Sequence, residues 1–243
     1  MPHRNLLRRV IAAILSLLFP ERCFACGALM HFGRGLCPDC YRKANFITDP
    51  MCRYCGAPFE FERSSRPVCS DCLKSKPPYS RCIAVMRYDN IARKIILPLK
   101  HGDKTYIAKW MAEMIFGAAR EILNETDIIV PVPIHMSRLL KRLYNQTALI
   151  ARPLGRFSGK PVSYNNLVRT KATKSQGHMN RLDRLLNVGS SFSVKNPAEF
   201  AKKSVLIVDD VTASGATLAE IARTLKAAGA KRVLCVTFAK VLV

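Results

Sequence analysis

Acidic residues are scarce in this chain of 243 residues: 17 Asp and Glu stand against 39 Lys and Arg, which gives a formal net charge of +22. Such a surplus favours polyanionic partners, namely nucleic acid, anionic lipid headgroups or phosphorylated small molecules. Composition alone does not choose among these three. Because 49% of the residues are hydrophobic, wholesale disorder is excluded. The length suits one sizeable α/β domain with a small module.

Long hydrophobic runs are also lacking. The apolar run 10–19 is too short to cross a bilayer, and no small-residue cleavage site stands before Cys23. As a helix, the segment 1–22 would carry one broad apolar stripe beside three arginines. We expect that stripe to dock on the protein's own core, with attachment to a membrane surface as the alternative. The expectation is therefore a cytoplasmic protein without stable membrane insertion.

Ten cysteines are present, but their spacing is not that of a disulfide scaffold. Eight of them form four C-x-x-C pairs, a pattern typical of metal ligands. The pairs occur in two similar segments, C-F-A-C-G-A followed by C-P-D-C, and C-R-Y-C-G-A followed by C-S-D-C. This similarity indicates an internal duplication of about thirty residues. Four thiolates around one ion leave no place for substrate, so the segments predict two structural zinc ions.

The duplication favours one zinc ion per segment; a cross-braced arrangement is the alternative. The expected ligand sets are Cys23, Cys26, Cys37 and Cys40, and Cys52, Cys55, Cys69 and Cys72. Residues 23–76 would form a double zinc ribbon that draws most of its folding energy from the metals. We expect loss of one ligand to unfold this segment and to spare the rest of the chain. Cys82 and Cys235, in apolar runs, are interpreted as buried thiols.

The pattern changes after Lys76-Pro77-Pro78, and residues 77–243 form the second predicted domain. Strands are predicted at 82–88, 127–132, 192–194, 205–208 and 232–239, and helices at 104–123, 137–154 and 216–228. This alternation predicts a doubly wound, mainly parallel α/β sheet. The polar segment 155–191 between them is typical of a hairpin or a mobile loop.

Residues 205–218, VLIVDDVTASGATL, carry the strongest functional signal. A Gly-containing turn at a helix N-terminus offers backbone N–H groups and a positive dipole to a phosphate. The carboxylates of Asp209 and Asp210 would repel that phosphate if they faced it, but they suit vicinal ribose hydroxyls or a divalent cation. An Asx turn is the plainer interpretation of the aspartates alone. The motif is not a Walker loop, because no Gly-Lys-Ser/Thr follows.

These fourteen residues resemble the phosphoribosyl pyrophosphate (PRPP) fingerprint of the type I phosphoribosyltransferases. From Pro20 to the last strand, the chain resembles the ComF family, which joins a zinc-ribbon segment to a phosphoribosyltransferase domain. The resemblance also rests on the stretches L97-P-L-K-H-G, V130-P-V-P-I-H, R142-L-Y-N-Q and R169-x5-S-Q. It implies a type I phosphoribosyltransferase-like sheet that binds PRPP together with Mg²⁺.

The resemblance also implies residue roles. Asp209 and Asp210 would bind the ribose hydroxyls and, with Lys100, form the catalytic set. The 5′-phosphate would contact Thr212, Ala213, Ser214, Gly215, Ala216 and Thr217. The pyrophosphate would contact Pro133, Ile134 and His135, with Lys171 and Lys174 from a lid. His135 is equally well interpreted as an ordinary helix cap. Leu143-Tyr144 departs from the Gly-Phe of relatives, which argues against a special turn there and favours a continuous helix.

Two functions follow. The first is transfer of phosphoribosyl to an acceptor with release of pyrophosphate. The alternative is a catalytically silent, PRPP-sensing module that binds DNA. Between His135 and Leu186 the sequence has eleven basic residues and one acidic residue. We call these basic residues the belt. The belt suits single-stranded or non-specific DNA, although a solvated basic face is the plainer interpretation. The family's link to uptake of transforming DNA implies competence proteins as further partners.

Overall fold

The computed structural model describes residues 20–30, 33–60, 67–170 and 191–242. Two short helices, α1 (Pro38–Lys43) and α2 (Ser70–Lys74), lie in the cysteine-rich segment. The elements that follow in chain order are β1 (Arg81–Arg87), α3 (Asn90–His101), α4 (Ile107–Ala118), α5 (Arg120–Asn124), β2 (Ile128–Pro131), α6 (Met136–Arg142), α7 (Gln146–Ser158), β3 (Leu167–Arg169), β4 (Phe192–Val194), a 3-10 turn (Pro197–Glu199), β5 (Ser204–Thr212), α8 (Ala216–Ala227) and β6 (Arg232–Lys240).

Four strands form one parallel sheet in the order β1-β6-β5-β2. Val205 of β5 lies between Val233 of β6 and Ile128 of β2. The predicted strand 205–208 is buried throughout, because both faces of the sheet are covered at this point. Since parallel strands all end at the same edge of a sheet, the residues that follow them meet there.

Helices cover both faces of this sheet. Leu206 and Leu234 belong to a buried cluster with α3, α4 and α7, whereas Val205, Ile207 and Val233 belong to a second cluster with α8. The two sets separate because successive side chains of a strand point to opposite faces. Burial of each such side chain contributes about 1.5–3 kcal/mol to stability. The doubly wound α/β fold expected from the sequence is confirmed.

The cysteine-rich segment lies along β1, at one edge of the sheet. The N–H of Ile47 donates to the Val85 carbonyl at 2.9 Å, and the N–H of Cys82 donates to the Tyr54 carbonyl at 2.8 Å. These bonds occupy strand groups that would otherwise be open to pairing with another chain. The two predicted domains therefore share main-chain hydrogen bonds, so the expectation that the α/β domain is indifferent to loss of a zinc ligand needs revision.

Several predicted helices differ from those observed. The sequence prediction missed α3, whose N-terminus is capped by the Asp89 side chain and which continues through Pro98. The predicted helix 104–123 is two helices, α4 and α5, that meet at Ala119. The predicted helix 137–154 is likewise two helices, α6 and α7.

The break between α6 and α7 corrects the interpretation of Leu143. This residue has φ 63° and ψ −6°, which is left-handed backbone, and its N–H donates to the Leu139 carbonyl at 2.7 Å. A continuous helix was expected, because the glycine of relatives is absent here. The chain nevertheless makes a left-handed turn at Leu143. The tertiary position of Asn145 and Thr147, which both donate to the Val132 carbonyl, fixes the chain on the far side of the turn.

Strand β3 lies in the polar segment 155–191 and pairs antiparallel with β4, which follows that segment, while α7 extends into it as far as Ser158. Residues 171–190 lie outside the described ranges, so a hairpin or mobile loop there stays a prediction. Within the ranges that the structure describes, every helix is too short or too polar to span a bilayer. The predicted apolar N-terminal helix falls almost wholly outside those ranges.

Candidate functional site

The cysteine pairs form two separate clusters, each drawn from one of the two duplicated segments. In each, the four Sγ atoms lie within 4.8 Å of one another; the clusters are Cys23, Cys26, Cys37 and Cys40, and Cys52, Cys55, Cys69 and Cys72. Each cluster takes its four sulfurs from one segment, which supports the sequential arrangement over the cross-braced one. The sets match the predicted ligands one for one.

The sulfur positions fit zinc. Cys26 Sγ and Cys37 Sγ lie 3.7 Å apart, and Cys55 Sγ and Cys69 Sγ lie 3.6 Å apart. A tetrahedral ion with Zn–S bonds of about 2.3 Å requires sulfur separations of about 3.8 Å. The residues of both clusters therefore fit structural zinc.

The backbone repeats the same supporting bonds in both segments. The Cys37 N–H donates to Cys23 Sγ at 3.3 Å, and the Cys69 N–H donates to Cys52 Sγ at 3.4 Å. The hydrogen bond from the Cys55 thiol, with others from backbone N–H groups, outweighs burial and lowers the pKa of Cys52 to about 4. The same hydrogen bond, together with burial, raises the pKa of the Cys55 thiol, so without a metal one proton is shared within this pair. The repetition shows that the duplication seen in sequence is structural.

A cavity of about 330 Å³ opens at the carboxyl edge of the sheet. Its lining comes from four places in the fold: Lys100 and His101 at the end of α3, Pro133 and Ile134 after β2, Asp209, Asp210 and Val211 near the end of β5, and Thr217 at the start of α8. Val132, Arg142, Gln146, Thr147 and Arg169 complete the lining. The structure thus brings together both predicted aspartates, the predicted lysine and two residues of the predicted pyrophosphate turn.

The two aspartates differ in surroundings. Asp210 is buried, and its Oδ1 forms an ion pair with Lys100 Nζ at 3.0 Å. Its Oδ2 is buried and has no hydrogen-bond partner among the described residues. Since an unsatisfied buried oxygen is costly, this atom is suited to accept a hydroxyl or to ligate a cation.

Asp209 is half-buried, and its Oδ1 accepts the Asp210 N–H at 2.8 Å. Burial, and then the neighbouring charge of Asp210, raise the pKa of Asp209 to about 7. Lys100 acts in the opposite direction. Two carboxylates this close repel each other when both are ionised. A cation bound between them, or hydroxyl groups that donate to them, would reduce that repulsion.

Three cationic residues, Lys100, Arg142 and Arg169, line the same cavity as these carboxylates, and Lys100 is ion-paired with Asp210. A site with this charge distribution suits a ligand that has hydroxyl groups at one end and phosphate at the other. Tyr144, at the position where a phenylalanine was expected from the resemblance, donates from its hydroxyl to the Leu99 carbonyl at 2.7 Å. That bond lies next to Lys100, so Tyr144 helps to fix the end of α3.

The predicted phosphate turn lies between β5 and α8. Thr212 ends the strand and is buried, Ser214 Oγ accepts the Ala216 N–H at 3.4 Å, and Thr217 lines the cavity. Gly215 has φ 74° and is the N-cap of α8. A helix N-terminus offers N–H groups that lack partners within the helix, and the long Ala216–Ser214 contact leaves that N–H able to turn to an anion, so the turn fits the phosphate site that the sequence motif indicated. Ala213 lies within the same turn.

In the structure His135 is an ordinary helix cap, the simpler of the two interpretations given to it. Its Nδ1 accepts the Ser137 N–H at 3.2 Å and caps α6, and it does not line the cavity. A contact between His135 and pyrophosphate stays a prediction. The lid lysines Lys171 and Lys174, together with Ser175 and Gln176, lie outside the described residues.

Sequence reasoning gave no role to Gln146 or Thr147. Both are buried and line the cavity; the Thr147 hydroxyl donates to the Val132 carbonyl at 2.7 Å, and Gln146 Oε1 has no partner in the described part of the chain. The one sequence feature that pointed to Gln146 was the stretch R142-L-Y-N-Q, which resembles the family and ends at this residue. Its place at the cavity depends on the turn at Leu143, which the sequence did not predict.

Comparisons with known proteins agree with both halves of the chain. Residues 14–73 match the model of the double zinc ribbon domain, and residues 107–242 match that of the phosphoribosyl transferase domain. Adenine phosphoribosyltransferase from Thermoanaerobacter pseudethanolicus is 15% identical, with a TM-score of 0.38 over 60% of this chain and 85% of that one.

Curated relatives match along nearly the whole length. Competence protein F of Haemophilus influenzae is 28% identical over 88% of this chain and 95% of its own. DNA utilization protein YhgH of Escherichia coli K12 is 30% identical over 89% of this chain and 96% of its own. Competence protein ComFC of Bacillus subtilis is 26% identical over 78% and 77%. The chain therefore belongs to the ComF family, in which a double zinc ribbon precedes a phosphoribosyltransferase domain.

Proposed function

We propose that the chain binds PRPP with Mg²⁺ in the 330 Å³ cavity and transfers the phosphoribosyl group to an acceptor, with release of pyrophosphate. One observation carries this proposal: two adjacent carboxylates and three cations line one cavity beside the turn 212–217, where Gly215 has left-handed backbone at the start of α8. A sugar that bears phosphate at one end and diphosphate at the other matches that distribution of charge.

The residues have separate tasks in this proposal. Asp209 and Asp210 accept hydrogen bonds from the ribose hydroxyls, with the free Oδ2 of Asp210 as the first acceptor. The turn 212–217 binds the 5′-phosphate through backbone N–H groups. Pro133 and Ile134 pack beside the pyrophosphate, and Arg142 and Arg169 bind its oxygens. Bound Mg²⁺ would neutralise part of the diphosphate charge.

In the chemical step, the bond between the anomeric carbon and the pyrophosphate oxygen breaks while a nucleophilic atom of the acceptor forms a bond to the same carbon and gives up its proton. Positive charge develops on the sugar ring while the electron pair leaves with pyrophosphate. Lys100, Arg142 and Arg169 stabilise that leaving group, and the two aspartates hold the ring in position. Lys100 exchanges its partner in this scheme, because the ion pair with Asp210 loosens as the diphosphate arrives.

Calorimetry with PRPP and Mg²⁺ tests binding, and a coupled assay for pyrophosphate tests turnover. Binding that is abolished in Asp209→Asn/Asp210→Asn and retained in the surface control Glu113→Gln is the expected result. Binding without pyrophosphate release, over a broad set of acceptors, would favour the catalytically silent PRPP sensor instead. Absence of PRPP binding in protein loaded with zinc would refute the proposal.

DNA binding is a second candidate function, and two observations favour it. The net charge is +22, and relatives bear the names of competence and DNA utilization proteins. The predicted belt is only partly an outer face: Arg142 and Arg169 line the cavity, while Arg152 and Arg156 are exposed on α7. Arg181 and Arg184 lie outside the described residues. About five phosphate contacts on single-stranded DNA would give a log–log salt slope of about −3.5; binding insensitive to salt would oppose this function.

A further inference from the structure

A second and larger cavity lies where the first zinc ribbon meets helices α3 and α4. Its volume is about 610 Å³, and nothing in the phosphoribosyltransferase scheme uses it. The ribbon contributes Arg22 and Phe24, α3 contributes Arg93 and Lys94, and the loop that follows contributes Lys104 and Tyr106. We call this cavity the ribbon groove. It has the size of roughly 300–1,000 Å³ that is typical of small-ligand pockets.

Apart from the cysteine cluster beside it, the ribbon groove carries only positive charge. Four cations line it, and no Asp or Glu is among its described lining residues. Within the described ranges, Arg93, Lys94 and Lys104 have no acidic partner, whereas Arg22 donates to the Gly27 carbonyl at 3.1 Å. Bringing several like charges together without partners is unfavourable, so an anion belongs among them.

The neighbouring zinc centre does not account for this charge. Cys23 and Cys26 line the groove, and a zinc ion with four thiolates carries a net charge of about −2. Four cations exceed that charge by about two. Arg22 donates to the ribbon's own Gly27 carbonyl. Arg93, Lys94 and Lys104, from α3 and the following loop, therefore supply the excess positive charge that is available to an external anion.

The groove also presents aromatic rings beside its cations. Tyr106 is 54% exposed, and its ring centroid lies 5.8 Å from that of Phe24 at 56°. Phe24 in turn packs edge-on against Trp110 at 5.5 Å, which fixes the pair to the core. A fixed aromatic platform next to phosphate-binding cations is the arrangement by which proteins stack the bases of single strands.

We infer that the ribbon groove binds single-stranded nucleic acid, with a base stacked on Tyr106 and backbone phosphates on Arg93, Lys94 and Lys104. This inference rests on the second proposed function and names its site. A concave cavity of this volume admits an unpaired nucleotide but not a duplex, whose bases are stacked inside a helix. The groove is distinct from the PRPP cavity, although α3 contributes to both: Lys94 and Lys100 are six residues apart, about 9 Å along the helix axis.

The test is fluorescence anisotropy of a labelled oligothymidylate with the full zinc-loaded protein, across a salt series. The groove variant is Arg93→Gln/Lys94→Gln/Lys104→Gln. The matched control is Lys195→Gln/Lys226→Gln/Lys231→Gln, three exposed cations away from the groove that give the same change of net charge. We expect the groove variant to bind at least about tenfold more weakly with a salt slope smaller by about 2, since each lost contact contributes about 0.7. The control should lose less than about threefold.

A second pair of variants tests stacking. Tyr106→Ala should weaken binding about fivefold or more, because loss of one base–aromatic stack has that effect. Tyr164→Ala, which removes another exposed tyrosine outside the groove, should not. Zinc content and PRPP binding must be unchanged in every variant, which shows that each one is folded.

Each outcome has a defined meaning. Equal losses in the two triple variants, or in the two tyrosine variants, would overturn the groove while leaving DNA binding intact. Displacement of the oligonucleotide by an equal concentration of thymidine monophosphate would make the groove a free-nucleotide site and overturn the inference. Failure of the wild-type protein to bind the oligonucleotide would refute DNA binding and the groove together, and the PRPP proposal would stand on its own calorimetry.

Discussion

The hydroxyl of Tyr79 lies against Gly215: a Cβ placed on that glycine would be 3.1 Å from Tyr79 Oη. Tyr79 is buried just before β1, at the point where the cysteine-rich segment joins the α/β domain. Gly215 is the left-handed residue of the phosphate turn. A side chain from the junction of the two domains thus limits the space at the turn that is proposed to bind the 5′-phosphate.

Gly215→Ala should weaken PRPP binding by about tenfold or more while the zinc content stays at two ions. Left-handed backbone costs a residue with a Cβ about 1–2 kcal/mol, and the close contact adds to this. Calorimetry of the double variant Tyr79→Phe/Gly215→Ala separates the two effects. Partial recovery is expected, since removal of the hydroxyl relieves the contact but not the strain. Wild-type affinity in a folded Gly215→Ala protein would place the phosphate elsewhere.

Asp210→Asn should reduce PRPP affinity by about 1–3 kcal/mol, the usual contribution of a hydrogen bond to a charged group. The amide keeps the shape of the side chain but loses the charge that pairs with Lys100. Glu113→Gln is the matched control: its ion pair with Lys109 is exposed, at 3.9 Å, so neither binding nor stability should change. Equal affinities of these two variants for PRPP would contradict the assigned role of Asp210.

Asp209 predicts an unusual dependence of stability on pH. Its pKa is raised from 3.8 to about 7, first by burial and then by Asp210. Between about pH 4 and pH 7 the folded chain therefore keeps a proton that the unfolded chain has released, so this group's contribution to stability falls as pH rises. The shift corresponds to at most about 4 kcal/mol, and partial exposure reduces our expectation to about 1–2 kcal/mol.

Urea unfolding of ligand-free protein at pH 5 and pH 8 checks this prediction. Asp209→Asn cannot ionise, so it should be more stable than wild type at pH 8 by that amount, with a smaller difference at pH 5. Other titrating groups are common to both proteins and cancel in the comparison. A constant difference at the two pH values would show that Asp209 ionises normally.

The site could be predicted from sequence wherever it lies in one continuous stretch. The strand 205–208, the two aspartates and the turn 212–217 follow one another along the chain, so hydrophobic burial and the glycine position indicate the geometry directly. The zinc clusters were predictable for the same reason. Their ligands are close in sequence, and the spacing alone determines which sulfurs meet.

Cavity residues that come from other parts of the chain were harder to predict. Helix α3 contains Pro98, which weakened the helical pattern, yet the cap at Asp89 and the apolar spacing from Ile91 to Leu99 were present in the sequence. The ribbon groove has no sequence signature, because Arg22 and Lys104 are 82 positions apart and meet only when the ribbon packs on α3 and α4. Such sites depend on tertiary packing alone.

Cys52→Ser should lower the bound zinc from two ions to one and should also destabilise the α/β domain. The second ribbon covers the edge strand β1 through the Tyr54 carbonyl, and its Gly56 lies so close that a Cβ there would be 2.6 Å from the Cys82 carbonyl oxygen. Unfolding of the ribbon uncovers that edge, so aggregation on heating is expected as well.

Elemental analysis and thermal unfolding check this outcome. Cys235→Ser, which changes a buried thiol outside both clusters, should keep two zinc ions. An unchanged melting temperature in Cys52→Ser with one zinc bound would show that the sheet does not need its ribbon.

Leu143→Gly should stabilise the chain. Leu143 adopts φ 63° although it has a Cβ, and 86% of its surface is exposed, so its side chain contributes little burial in return. Relief of left-handed strain contributes about 1–2 kcal/mol, while the greater freedom of glycine in the unfolded chain opposes it by about 0.5–1 kcal/mol. A net gain of roughly 0.5–1 kcal/mol in unfolding free energy is expected from urea titration. Leu143→Ala, which keeps the Cβ, should show no comparable gain; if it did, the exposed apolar side chain rather than the backbone would be the source of the strain.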